Sequence, residues 1–298
     1  MKKEKNYTQY LEWAIMLVLF FGLFFVTIKY GNLDHFKPET RSGKVVMIIG
    51  IFIMMIVVLA AHELGHLITG LMNGFRFELF VVGPLGIRRE EDKIKVYFNK
   101  SLAYFGGIAA TSPVDDNHNA NARKFAWILL AGPIASILFA IICYGLAYWV
   151  GKPLGVVFYT GALISIAIFF ATTVPSRSGI FFTDRKRFQR LVTPGKDQDV
   201  ELAMLRIMGQ FSKDNSYKNI DQRDIDVMVS DDIPFIKYMG LFNKVCWQIE
   251  MDGKVDDQIS LEYEEVSKSM SKNLVKAFDK EIEAYKEKFK AGSDSTTK

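Results

Sequence analysis

An apolar run that begins near Val45 is long enough to cross a bilayer, and it closes on His62-Glu63-Leu64-Gly65-His66. A run of this length reads as a spanning helix. On a helix, positions i and i+4 project from one face. Both imidazoles can therefore grip one Zn²⁺ ion while the carboxylate of Glu63 leans toward the water beside it. Ionisable groups inside a spanning segment are costly, and they persist when paired, metal-bound or functional. The plainer alternative is a polar trio capping the membrane end of a helix, which predicts no third ligand. The chain has four histidines. The other two, His35 in a polar loop and His118 in the Asp115-Asp116-Asn117-His118-Asn119 turn, read as solvated side chains.

Half of the 298 residues are hydrophobic and 24 are Phe, so the chain is not an ordinary soluble domain. Its apolar stretches at Tyr10 to Ile28, Lys44 to Leu71, Phe125 to Val150 and Leu154 to Val174 each match or exceed the length that about 30 Å of hydrocarbon requires. The first has a basic start at Lys2, Lys3 and Lys5, as a signal peptide does, but it is long and lacks a small-x-small cleavage site, so it reads as a retained helix. Cys143 falls within the third stretch and Cys246 in the polar tail, which implies no disulfide framework. The expected fold is an α-helical integral membrane protein with about four transmembrane helices, a small β-hairpin or re-entrant segment, and a C-terminal soluble helical domain. Residues 1–191 form the membrane core in this reading, and residues 192–298 a cytoplasmic helical domain with a disordered end.

Basic residues near span ends resist translocation. Lys2, Lys3 and Lys5 precede the first span, eight Lys and Arg lie between Arg76 and Lys124, and Arg177, Arg185, Lys186, Arg187 and Arg190 follow the fourth. This pattern places both termini in the cytoplasm. His62, about 27 Å along a helix started at Lys44, then approaches the cytoplasmic edge.

A catalytic zinc site wants three protein ligands and one open position. The fourth span ends on the same side, and the segment after it, Pro175-Ser176-Arg177-Ser178-Gly179-Ile180-Phe181-Phe182-Thr183-Asp184, brings one acid near the required depth. Asp184 is the candidate third ligand. Its competing role is as a cap for the helix expected over Arg185 to Leu191, and the two roles need not exclude each other.

In these residues the chain resembles the site-2 protease family of intramembrane zinc metallopeptidases. The likeness rests on His62-Glu63-Leu64-Gly65-His66 in a span, on Ala131-Gly132-Pro133-Ile134-Ala135-Ser136 opening the third span, and on an acid after a Pro-containing turn beyond the last core helix. It covers roughly Val45 to Leu191. The resemblance implies that His62, His66 and Asp184 bind Zn²⁺ and that Glu63 serves as general base and acid. Family members usually carry Gly where Arg185 stands, and often Asn where Ser136 stands, a position associated with holding the substrate. Gly132 and Pro133 are read either as a further part of the substrate site or as simple helix packing.

Between the second and third spans, Phe75 to Val82 and Lys93 to Phe98 alternate as strands around Gly83-Pro84-Leu85-Gly86, suggesting a β-hairpin or small sheet. A strand edge beside the metal could hold an unwound substrate by main-chain pairing, and an ordinary surface hairpin fits equally. Gly106-Gly107-Ile108-Ala109-Ala110 reads as a re-entrant segment or a flexible linker.

Beyond Pro194-Gly195 the composition turns charged and amphipathic, with helices expected near Asp197 to Gln210, Gln222 to Val229, Ile233 to Met251 and, singly or as a pair, Ser260 to Ala291. Residues 292–298 are expected to be disordered. The expected partners are a membrane-spanning or membrane-associated peptide as substrate, the lipid bilayer, and a protein partner of the tail, with no nucleic acid. Two rival functions remain. One is a membrane zincin of the prenyl-protein or quality-control type, taking a Glu such as Glu250, Glu262, Glu264 or Glu265 as third ligand. The other is a decayed, non-catalytic receptor or immunity protein.

Overall fold

The computed structural model describes residues 14, 17, 18, 21, 22, 25, 29, 36, 38–90, 93–101, 104–178 and 181–295. Most of the first expected span, Tyr10 to Ile28, and the loop residue His35 lie outside the described residues. Among the described residues three helices are long and apolar enough to cross a membrane: α1 (Arg41–Met72), α2 (His118–Val150) and α3 (Leu154–Thr173). Helix α1 starts where extended Thr40 turns its hydroxyl onto the amide of Gly43 at 3.0 Å, an N-cap. Helix α2 begins at His118, earlier than the expected Phe125, so the exposed turn histidine is its first residue. Large side chains such as Phe52, Ile53, Ile141 and Trp149 stay exposed on these helices. Water would not tolerate such continuous apolar surface, and hydrocarbon does.

The chain divides into two compact units, one of residues 1–111 and 123–189, the other of residues 112–122 and 190–298. In the first unit the three long helices share a core of Met54, Val58, Cys143, Val157 and Ala162. Glycines let them approach closely. A Cβ on Gly50 would lie 2.7 Å from Cγ2 of Val157, and one on Gly161 would lie 2.8 Å from Cγ of Met54. A second cluster, Phe36, Ala147 and Tyr159, joins the segment before α1 to the adjoining ends of α2 and α3.

Four strands follow α1 in one sheet of order β3-β2-β1-β4: β1 (Phe75–Val82), β2 (Leu85–Glu90), β3 (Lys93–Phe98) and β4 (Ile108–Pro113). The expected hairpin is thus a larger sheet. The Gly106 to Ala110 stretch, expected as a re-entrant segment or linker, leads into its edge strand. Antiparallel register sets Leu85 opposite both Val82 and Phe98, and Ile87 opposite both Phe80 and Val96. Residues on one face of this register, Phe80, Val82 and Ile87, join Leu67, Ile56, Leu59 and Ala60 of α1 in a single cluster.

Strand β1 therefore runs back along the helix it follows. Gly83, left-handed at φ 54°, faces Ile56, which is about 24 Å along α1 from Met72. Non-helical backbone at that depth needs internal partners. Asn99 supplies some of them: its amide donates to the Pro84 carbonyl at 2.8 Å, and its side chain donates to the Gly83 carbonyl at 2.8 Å.

After α3 come the short paired strands β5 (Arg177–Ser178) and β6 (Phe181–Phe182), then helix α4 (Asp184–Val192). The second unit contains α5 (Lys196–Asp214), α6 (Gln222–Val229), α7 (Pro234–Asp252), α8 (Asp257–Ser267) and α9 (Lys272–Ser295). The stretch from Ser260 to Ala291 is resolved as a helix pair. The last helix also continues to Ser295, past the point where disorder was expected, because extending an existing helix costs far less than starting one. Asp221 and Asp256 cap α6 and α8 by accepting from amides of the first turn. Within this unit Arg190, 3 % exposed, donates to Glu201 at 3.0 Å and to Asp197 at 2.7 Å.

Candidate metal centre

His62 and His66 stand one helical turn apart on α1, with ring centroids 5.0 Å apart and planes nearly perpendicular. Asp184, the first residue of α4, brings its Oδ2 to 3.2 Å from Nε2 of His62 and 3.4 Å from Nε2 of His66. One ligand atom from each of the three residues lies within 4.8 Å of the others, and this is the one such group among the described residues.

The donor set fits zinc. Ligands held at about 2.0–2.1 Å around a tetrahedral ion are separated by about 3.3–3.4 Å. The Asp184 Oδ2 atom is buried, and beyond those two nitrogens it finds no hydrogen-bond partner. A carboxylate oxygen left in that state is expensive unless a cation completes it.

Helix α2 orients both rings from behind. Nδ1 of His66 meets the carbonyl of Ile128 at 2.7 Å, and Nδ1 of His62 meets the Ser136 hydroxyl at 2.9 Å. A carbonyl can only accept, so Nδ1 of His66 carries a proton, and Nε2 is the nitrogen turned toward Asp184. Close helix contact makes this reach possible. A Cβ on Gly65 would lie 2.6 Å from both the Ala131 carbonyl and Cβ of Ala135, and one on Gly132 would enter the His66 imidazole. Small residues every fourth position produce that approach.

Ser136, expected on the substrate side, is 1 % exposed and bonded to His62. Gly132 lies against His66. Pro133 is inside α2, where it cannot donate to the Leu129 carbonyl.

Thr183 fixes the approach to Asp184. Its hydroxyl donates to the Val174 carbonyl at 2.8 Å and accepts from the Ser176 amide at 3.1 Å, and its carbonyl receives the Arg187 amide at 2.9 Å. The helix therefore starts at Asp184, and Thr183 takes the flanking position that sequence reasoning had offered to Asp184 as a cap. Farther along, the Arg187 guanidinium lies 5.2 Å from the centre of the Phe125 ring, which stacks on Phe75. Arg185, standing where Gly is usual in the resembled family, is exposed and does not crowd the cluster.

Glu63 is adjacent to the cluster, and its carboxylate is crossed by the chain at Gly107. With φ 108°, Gly107 comes so near that a Cβ would lie 2.7 Å from Oε1. Strand β4 continues from there along α1 to Gly70, where a Cβ would lie 2.6 Å from the Thr111 hydroxyl. Two of the four acids weighed as alternative ligands have partners within their own unit: Glu250 accepts from the Tyr217 amide at 2.6 Å, and Glu262 pairs with Lys237 at 2.7 Å. Sequence reasoning had no signal for Ile128, whose contribution is a main-chain oxygen, nor for Gly107.

Apolar helices and a three-donor cluster that could hold a metal ion define a membrane protein with a candidate metal centre. A family model described as peptidase family M50 matches residues 50–294. The chain belongs to that family, the site-2 protease family, and is a membrane metalloprotease in the broad sense that membership carries. No curated protein and no solved structure matches it.

Proposed function

We propose that this chain is a zinc endopeptidase that hydrolyses a peptide bond in or near a transmembrane segment of a membrane protein or peptide precursor. The observation that carries the reading is the convergence of His62, His66 and Asp184, drawn from two helices far apart in sequence, into one set of donors. Those three residues would hold the ion. Zinc there supplies a Lewis acid that polarises a carbonyl and makes water acidic enough to lose a proton near neutral pH.

Glu63 takes that proton on its carboxylate and returns it to the leaving amine, so no covalent intermediate is required. Strand β4, an edge of its sheet beside Glu63, offers main-chain donors and acceptors to a substrate whose helix has been unwound. Gly132 and Pro133 then act by shaping α2 at the site. Residues 1–191 form the protease core in this reading, with the segment from Tyr10 to Ile28 as a fourth span. Residues 192–298 form a cytoplasmic helical domain that recruits a partner. The excess of Lys and Arg between the second and third spans and after the last supports cytoplasmic termini.

Metal analysis of the purified protein tests the proposal. Stoichiometric zinc in the native chain, lost in Asp184→Ala, is expected. A native chain without zinc would instead support the decayed, non-catalytic reading.

A further inference from the structure

We infer that Ser136 is a positioning residue of the metal centre, holding the His62 imidazole by Nδ1 so that its Nε2 presents a lone pair toward Asp184. The inference rests on the zinc peptidase reading above and gives Ser136 a role other than contact with substrate.

The Ser136 hydroxyl is 2.9 Å from Nδ1 of His62, and the residue is 1 % exposed. A hydroxyl so enclosed has no free surface to offer a substrate carbonyl. It lies on the same stripe of α2 as Ile128 and Gly132, spaced by four residues, so one helix face serves both rings: Ile128 orients His66, Gly132 makes room for it, and Ser136 orients His62. The two supports differ in kind. The Ile128 carbonyl enforces one tautomer, because it can only accept.

A serine hydroxyl can donate or accept, so it allows His62 either tautomer. If it donated to Nδ1, the ring proton would move to Nε2 and point at Asp184 Oδ2, 3.2 Å away, where the ion must bind. If it accepts from Nδ1–H, Nε2 is free. Metal loading selects the accepting arrangement, and the hydroxyl stabilises it. Partners of this kind also hold the ring angle, and removing them weakens metal affinity.

The test uses full-length protein in detergent. Zinc affinity is measured by competition with a chromogenic chelator for the native chain, Ser136→Ala, Ser136→Gly and Ser136→Thr, with the unfolding midpoint recorded for each. Ser136→Ala is expected to bind zinc about 10- to 100-fold more weakly, and Ser136→Thr, which keeps the hydroxyl, to recover most of that loss. Ser136→Gly removes the same group and replaces the alanine variant if that one does not fold. Nitrogen-15 spectra of histidine-labelled, zinc-loaded protein supply a readout that looser packing alone would not move: native His62 shows a protected Nδ1–H, and the hydroxyl-less variant loses that protection.

Zinc affinity in folded Ser136→Ala or Ser136→Gly within about twofold of native, with the Nδ1–H signal unchanged, would overturn this inference and leave the peptidase reading standing. A native chain that takes up no zinc would overturn both.

Discussion

Gly132 faces the imidazole of His66 so closely that a Cβ built on it would lie 2.5 Å from Cε1 and 2.7 Å from Cδ2. The missing side chain is the space in which the ring sits. Gly132→Ala must therefore push the imidazole or separate the helices. Overpacking of this kind costs about 1–3 kcal/mol, and a displaced ligand lowers zinc affinity by about 10- to 100-fold. Chelator competition together with a thermal melt checks both. Native zinc affinity in Gly132→Ala would show that the ring does not depend on this contact.

Glu63 separates metal binding from turnover. Glu63→Gln keeps the shape of the side chain beside Gly107 and removes its basicity. Cleavage is expected to fall by about 10²- to 10⁴-fold, the range for a lost general base, while zinc stays stoichiometric. The measurement is fragment release from a membrane-embedded reporter, run beside metal analysis of the same preparation. Cleavage at the native rate would remove Glu63 from the proton path.

The parts of this site that were legible in sequence are those carried by local periodicity. His62 and His66 announce themselves because a spacing of four is one helix face, and three spans follow from uninterrupted apolar length. Asp184 could be reached because an acid after a short turn beyond the last span must lie near the same membrane depth. What escaped is set by tertiary pairing. Strand β2 contains Gly86 between Leu85 and Ile87 and then Arg88 and Arg89, a pattern without strand alternation, and becomes a strand because neighbours on both sides fix its register. Strand β4, built from Ile108, Ala109, Ala110, Thr111, Ser112 and Pro113, has too few large side chains to stand out. The link from Ser136 to His62 joins residues 74 positions apart, and nothing local encodes it.

Thr183 ties down the residue before the third candidate ligand. Its hydroxyl bridges the Val174 carbonyl and the Ser176 amide, closing the turn that delivers Asp184. Thr183→Val keeps the shape and leaves both backbone groups without that partner, at a cost of about 1–3 kcal/mol. Thr183→Ser retains the bonds. We expect zinc affinity to drop in the valine variant and to be nearly native in the serine variant, with faster hydrogen exchange over residues 174–184 only in the former. Equal affinity in the two would mean that the turn holds without its hydroxyl.

Glu250 gives the C-terminal unit a signature in its pH dependence. Its carboxylate accepts from the Ser216 hydroxyl, the Tyr217 amide and the Tyr285 hydroxyl, joining α7 to α9. Burial works to raise its pKa, but these donors outweigh that and hold it below the usual value. A carboxyl depressed in the folded state contributes stability that is complete above its unfolded value, about 4.3, and is lost as pH falls through the lower folded value. Glu250→Gln should therefore lower stability by roughly 1 kcal/mol near neutral pH, solvent screening included, and flatten the acid limb below about pH 4.5. Cys246, buried in the same unit with its thiol pushed up to about 12 by burial, supplies the probe. In a Cys143→Ala background, maleimide reaches Cys246 only as this unit opens, so labelling against urea at a series of pH values reads both effects. An acid limb identical in the native chain and Glu250→Gln would show that another carboxylate sets it.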